Sequence, residues 1–174
     1  MTAKIKINEE MKGSMGLLIS ILARYPEVGT VTYDPLERMI QFSFLLHQDA
    51  EEKKMKVSAA VIEEALLLFH KLTKTNPQLL NVKVEKQNPI SSLYINRDVD
   101  SLTFHEIALL VELLKQQVGS FCLSEKDNSN IIEDDEQLWQ EEMITHLLDN
   151  LPGNEPSQSL YAYREEGRVM VFNK

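Results

Sequence analysis

A single cysteine, Cys122, stands among 174 residues, which excludes an intramolecular disulfide framework and any zinc or iron–sulfur site built from several thiolates. A reducing, cytoplasmic setting is the matching expectation. Glycine and proline number only six each and no low-complexity run occurs, so no segment has the composition of a linker and one domain over residues 1–174 is expected. Long apolar runs are also missing. The uncharged stretch at 13–23 has eleven residues, against the roughly 20 that a membrane-spanning helix needs. Lys4, Lys6 and Lys12 ahead of it suggest a signal peptide, but Glu9 and Glu10 dilute the basic region and Ile21 is not the small residue a cleavage site ending at Ala23 would want.

Positive charge is scarce too: 18 Lys and Arg face 27 Asp and Glu, a formal net charge of −9. That balance argues against nucleic acid or an anionic membrane surface as partner unless a local basic patch exists. The densest basic cluster, Lys53, Lys54 and Lys56, follows Glu51 and Glu52 and so gains almost nothing. The acidity is concentrated. Residues 125–155 hold 10 acids and one base, Lys126, while the rest of the chain balances. An acidic loop-and-helix insertion in a near-neutral domain is the resulting picture, and a basic protein partner should be sought there.

What is present reads as alternating helices and hairpins. Asn8 can cap a helix over 9–25, with Met11, Met15, Leu18, Leu22 and Tyr25 at helical spacing and Pro26 as its stop. β-Branched and aromatic residues around Asp34-Pro35 predict a hairpin over 28–46. Residues 48–56 look like a polar connector into a helix at 57–74, with Val61, Ile62, Ala65, Leu68, Phe69 and Leu72 inward and Leu66 and Leu67 widening its apolar arc. A second hairpin is expected over 79–96. A capping box, Thr103-x-x-Glu106, opens a helix at 104–118 that is apolar nearly all round at Leu109 and Leu110. Residues 121–123 suit a short strand, 133–150 an amphipathic helix, and 159–172 a third hairpin. The expected fold is α+β: a largely antiparallel sheet of three hairpins with four helices mainly on one face.

Chemistry is thinly represented. Asp135, Glu142, His146 and Asp149 fall at steps of seven, four and three and share one helical stripe, a set able to bind a divalent metal or move protons. The competing reading is a solvated acidic face with a Glu142–His146 pair. His105 or Glu106 could complete such a site from another element. His47 and His70 are scattered, His70 on the flank of a greasy helix, and Cys122 in an apolar triplet reads as a small buried hydrophobe. Gly13 and Gly16 beside Lys12 match the Gly-x-x-Gly of RNA-binding loops, but they sit inside a helical periodicity. No nucleotide loop, nucleophile elbow or dinucleotide fingerprint occurs.

The sequence therefore points to a non-catalytic interaction or regulatory protein acting through self-association and an acidic helix, without a cofactor. Trp139 on that helix, and Leu66, Leu67, Leu109 and Leu110 on the over-apolar helices, are the candidate interaction residues. The alternative is a small metal-dependent hydrolase using the Asp135, Glu142, His146 and Asp149 stripe.

Overall fold

A computed structural model describes residues 13–47, 49–87, 89–123, 134–151 and 159–173. Helix α1 (Ser14–Arg24) gives way to β1 (Thr30–Asp34) and β2 (Met39–Leu46), α2 (Glu52–Thr73) to β3 (Leu80–Gln87) and β4 (Ile90–Asp98). Helices α3 (Phe104–Val118) and α4 (Asp134–Asp149) precede the last hairpin, β5 (Leu160–Glu165) and β6 (Arg168–Asn173). The expected α+β arrangement of four helices and three hairpins is what forms. The start expected for α1 at residue 9, with its Asn8 cap, lies outside the described residues, as do the polar loop expected at 124–130 and the first residue of the helix expected from 133.

All six strands join one antiparallel sheet in the order β3-β4-β2-β1-β5-β6. Two of the hairpin turns have a local cause. Asp34 folds its carboxylate back onto the amides of Leu36 (3.0 Å) and Glu37 (3.3 Å), the Asx geometry that starts a turn. Glu166 and Gly167 at the β5–β6 corner both take positive φ, 49° and 75°, as a two-residue hairpin of matching twist requires. Alternation along the strands puts Val31, Tyr33, Ile40, Phe42, Phe44, Leu93, Ile95 and Ala162 on one side, all buried in one core with the inward residues of the helices. The opposite side carries Thr30, Gln41, Ser43, Asn81 and Asn96, which bond one another across strands. Residues 121–123 pair with the end of β2 only through a single bridge, Cys122 opposite Leu46.

Helix α2 departs from the sequence expectation in start and in rotation. It begins at Glu52, inside the stretch read as a connector, because Lys54 and Lys56 pair back to Glu51 (3.7 Å) and Glu52 (3.1 Å) and Met55 is buried. Its inward side is Met55, Ser58, Ala59, Ile62, Leu66 and His70. Val61, Leu68 and Leu72, expected inward, are exposed. The helix is turned by about a quarter of a revolution from the apolar arc. In α1, Met15 is likewise exposed while Leu17 and Ile21 join Leu18 and Leu22 inside.

Candidate functional site

The acidic stripe comes first because the sequence singles it out. Helix α4 docks through Ile144 and Leu147, which turns Asp135, Glu142, His146 and Asp149 to solvent. His146 Nδ1 lies 3.2 Å from the side-chain amide of Asn150, just past the end of α4. Among the described residues no group of three or more His, Cys, Asp or Glu is placed to hold a metal ion. Glu106, considered as a completing ligand, is fully buried and engaged elsewhere, while His105 is exposed. The interaction candidates divide. Leu66 and Leu110, expected as interaction residues, are fully buried in the core. Leu109 is partly buried against the core, and Leu67 and Trp139 are exposed.

The fold also assembles a buried ionic cluster that periodicity along the chain does not reveal. Arg97, the last inward position of β4 after Leu93 and Ile95, is fully buried and donates from Nε and Nη2 to the two oxygens of Glu106, at 2.5 and 2.8 Å. Its Nη1 bonds the Leu79 carbonyl (2.8 Å) and the neighbouring Asp98 carboxylate. His70 closes the cluster, with Nε2 3.1 Å from Arg97 Nη2 and 3.0 Å from Glu106 Oε1, and Nδ1 2.6 Å from the Thr75 hydroxyl. Asp98 accepts from the amides of Gln78, Leu79 and Ser101 and from the Ser101 hydroxyl. Burial alone would raise its carboxyl, but the Ser101 and Leu79 hydrogen bonds and the Arg97 charge outweigh that and hold it below the usual carboxylate range. The cluster is sealed. It ties α2, the β3–β4 hairpin and α3 together, with the side chains of His70, Arg97, Asp98 and Glu106 all buried. Glu106 is thus half of the expected capping box: its amide bonds Thr103 Oγ1 (3.3 Å), but its side chain serves Arg97.

A second polar cluster is open. Where the end of α1 meets α3 and α4, a cavity of about 310 Å³ is walled by Pro26, Phe104 and Ala108 and by five charged side chains. Lys115 bridges Glu27 (3.2 Å) and Glu112 (3.3 Å), and Arg24 reaches Glu141 at 3.8 Å while lying over the Tyr25 ring. Lys115 is held above its ordinary range: desolvation opposes this, but the two glutamates prevail. Cys122 lies 3.8 Å from the Glu27 carbonyl, and burial, with Glu27 adding to it, pushes its thiol up to about 11. That thiol stays protonated at neutral pH, in keeping with a small hydrophobe. Nothing in the sequence marked this cavity beyond Pro26 as a helix stop.

Comparison with protein-family models, with curated proteins and with solved structures finds no match. What the geometry itself defines is an α+β protein with a six-stranded antiparallel sheet, a sealed ionic cluster inside and an acidic helix outside. No helix among the described residues is long and apolar enough to cross a membrane.

Proposed function

We propose that this protein works by association, as a non-catalytic interaction or regulatory component that pairs with a second copy of itself and presents its acidic helix to a basic protein. The observation that carries the reading is the outer side of α2. Val57, Val61, Leu68 and Leu72 fall at steps of four, seven and four, and three of them are more than half exposed, at 61% for Val57, 54% for Leu68 and 74% for Leu72. Leu67 flanks the row. Such a run of exposed aliphatic side chains is unusual on a free surface, and a copy of the same helix laid antiparallel would oppose Val57 to Leu72 and Val61 to Leu68.

The magnitude sets the strength. Completing the burial of four half-exposed aliphatic side chains is worth about 1 kcal/mol each, so roughly 8 kcal/mol over both copies. Association costs on the order of 4–15 kcal/mol in lost freedom. The α2 row therefore supports a reversible dimer rather than an obligate one. For the second partner, α4 carries six Asp and Glu and no Lys or Arg, with Leu138 and Trp139 exposed on it as apolar anchors. Sedimentation velocity over a dilution series tests the first part: the wild type should shift from dimer to monomer, and Leu68→Glu with Leu72→Glu should be monomeric throughout at unchanged circular dichroism. A wild type that stays monomeric at high micromolar concentration would remove self-association from the reading.

A further inference from the structure

We propose that the outer edge of β6 is a strand-addition site for an extended, mainly apolar segment of another protein that carries a carboxylate at one end. The hydrogen-bond register defines the edge. The two-residue turn at Glu166 and Gly167 makes Arg168, Met170 and Phe172 the residues whose backbone groups bond back to β5. The N–H and C=O groups of Val169 and Val171 therefore point away from the sheet, and no described residue partners them. The same alternation on the opposite edge turns the Val82 amide outward, where Glu63 accepts from it at 3.1 Å.

The two edges of the sheet are built differently. Strand β3 has a donor covered by Glu63, and Lys83, Glu85 and Lys86 stand exposed along it, which are means by which natural sheets discourage a further strand. Strand β6 has neither. After Arg168 it reads Val-Met-Val-Phe-Asn, without charge, proline or bulge, and Met170 and Phe172 are 37% and 47% exposed. Free amides and carbonyls at a two-residue repeat match another extended backbone. On the inner side Val169 and Val171 are half-buried against the core, and β-branched side chains laid opposite would close them off. Charge selects the partner. Arg168 is the one charged residue of β6 and has no ion-pair partner among the described residues. Antiparallel addition sets a carboxylate at the C-terminal end of the incoming segment opposite it. A second copy of β6 holds no carboxylate and would leave Arg168 unanswered. The edge involves neither the α2 row nor the acidic helix, so it stands or falls separately from them.

The full isotope-labelled chain is titrated with an acetylated and amidated hexapeptide, Ser-Thr-Val-Thr-Val-Glu, reading the amide resonances and hydrogen exchange of Val169 and Val171. In antiparallel register its valines lie opposite Val171 and Val169 and its glutamate opposite Arg168. Both amides should shift saturably below about 5 mM peptide and exchange more slowly. N-methylation of the two peptide valines removes the donors facing β6 and should weaken binding about tenfold or more. N-methylation of the two threonines, whose amides face away, should leave it within about threefold. Lysine in place of the glutamate should weaken it about threefold. Absence of a saturable shift at Val169 and Val171 overturns the proposal, as does equal binding of the valine-methylated or the lysine peptide. Protection of the two amides on raising the protein concentration alone assigns the edge to a second copy and equally overturns it. All of these results come from the unaltered protein.

Discussion

Arg97 shows how one residue can bind distant segments together. Its guanidinium spends Nε, Nη1 and Nη2 on Glu106, Leu79, Asp98, Ser101 and His70, which belong to four separate stretches of chain. A charge so fully desolvated is tolerable only while its partners remain. Glu106→Leu should therefore destabilise the protein by about 3–5 kcal/mol in urea unfolding, because it strands the arginine. Arg97→Met combined with Glu106→Leu should cost less than the two single changes added together, a coupling that a double-mutant cycle reads directly. Additive costs would mean that the pair contributes independently. Asp98 sets the behaviour in acid. Its carboxyl titrates lower folded than unfolded, so its contribution is complete above the unfolded value near pH ~4 and disappears as pH falls through the folded one. Between about pH 5 and pH 2 the unfolding midpoint of the wild type should accordingly fall more steeply than that of Asp98→Asn. Parallel slopes would assign the acid sensitivity to other carboxylates.

At the scale of elements, α2 is where sequence and structure disagree most, and the reason is physical. Its apolar arc is so wide that helical periodicity does not single out one inward side. His70, an unremarkable flank residue in the sequence, is drawn inside by Arg97 and Glu106, and Met55, in a run of lysines, is drawn inside by the start of the helix at Glu52. Together these rotate Leu68 and Leu72 outward. Glu63 goes with the rotation, accepting from the Val82 amide (3.1 Å) and covering a donor on the edge strand β3. Met55→Ala should then cost about 2–5 kcal/mol despite its polar neighbourhood in sequence, while Leu72→Ala should stay within about 0.5 kcal/mol in the monomer. Chemical unfolding of the two variants at low protein concentration checks the order; the reverse order would restore the inward arc read from the sequence. Helix α4 was better marked, since only Ile144 and Leu147 of its apolar residues are fully inward and its acids other than Glu141 are exposed.

For the whole molecule, the net charge of −9 belongs to one segment, so attraction and repulsion are local matters. On the proposed reading a basic partner would meet the acidic helix, and copies would pair through apolar contact along the outer row of α2. The two proposed surfaces lie on different elements, so self-pairing would leave the acidic helix available.

The sequence by itself determined the inventory: four helices, three hairpins, their turns at Asp34 and Gly167, and the antiparallel character, because periodicity, turn chemistry and caps act over a few residues. Tertiary structure alone decided that the hairpins join in the order β3-β4-β2-β1-β5-β6, which side of α2 faces the sheet, and that His70, Arg97 and Glu106 meet. It also decided that Tyr25 and Glu27 line a cavity opposite Phe104 and Glu141. Those outcomes depend on contacts between residues far apart in the chain, whose energies compete only once the elements are packed.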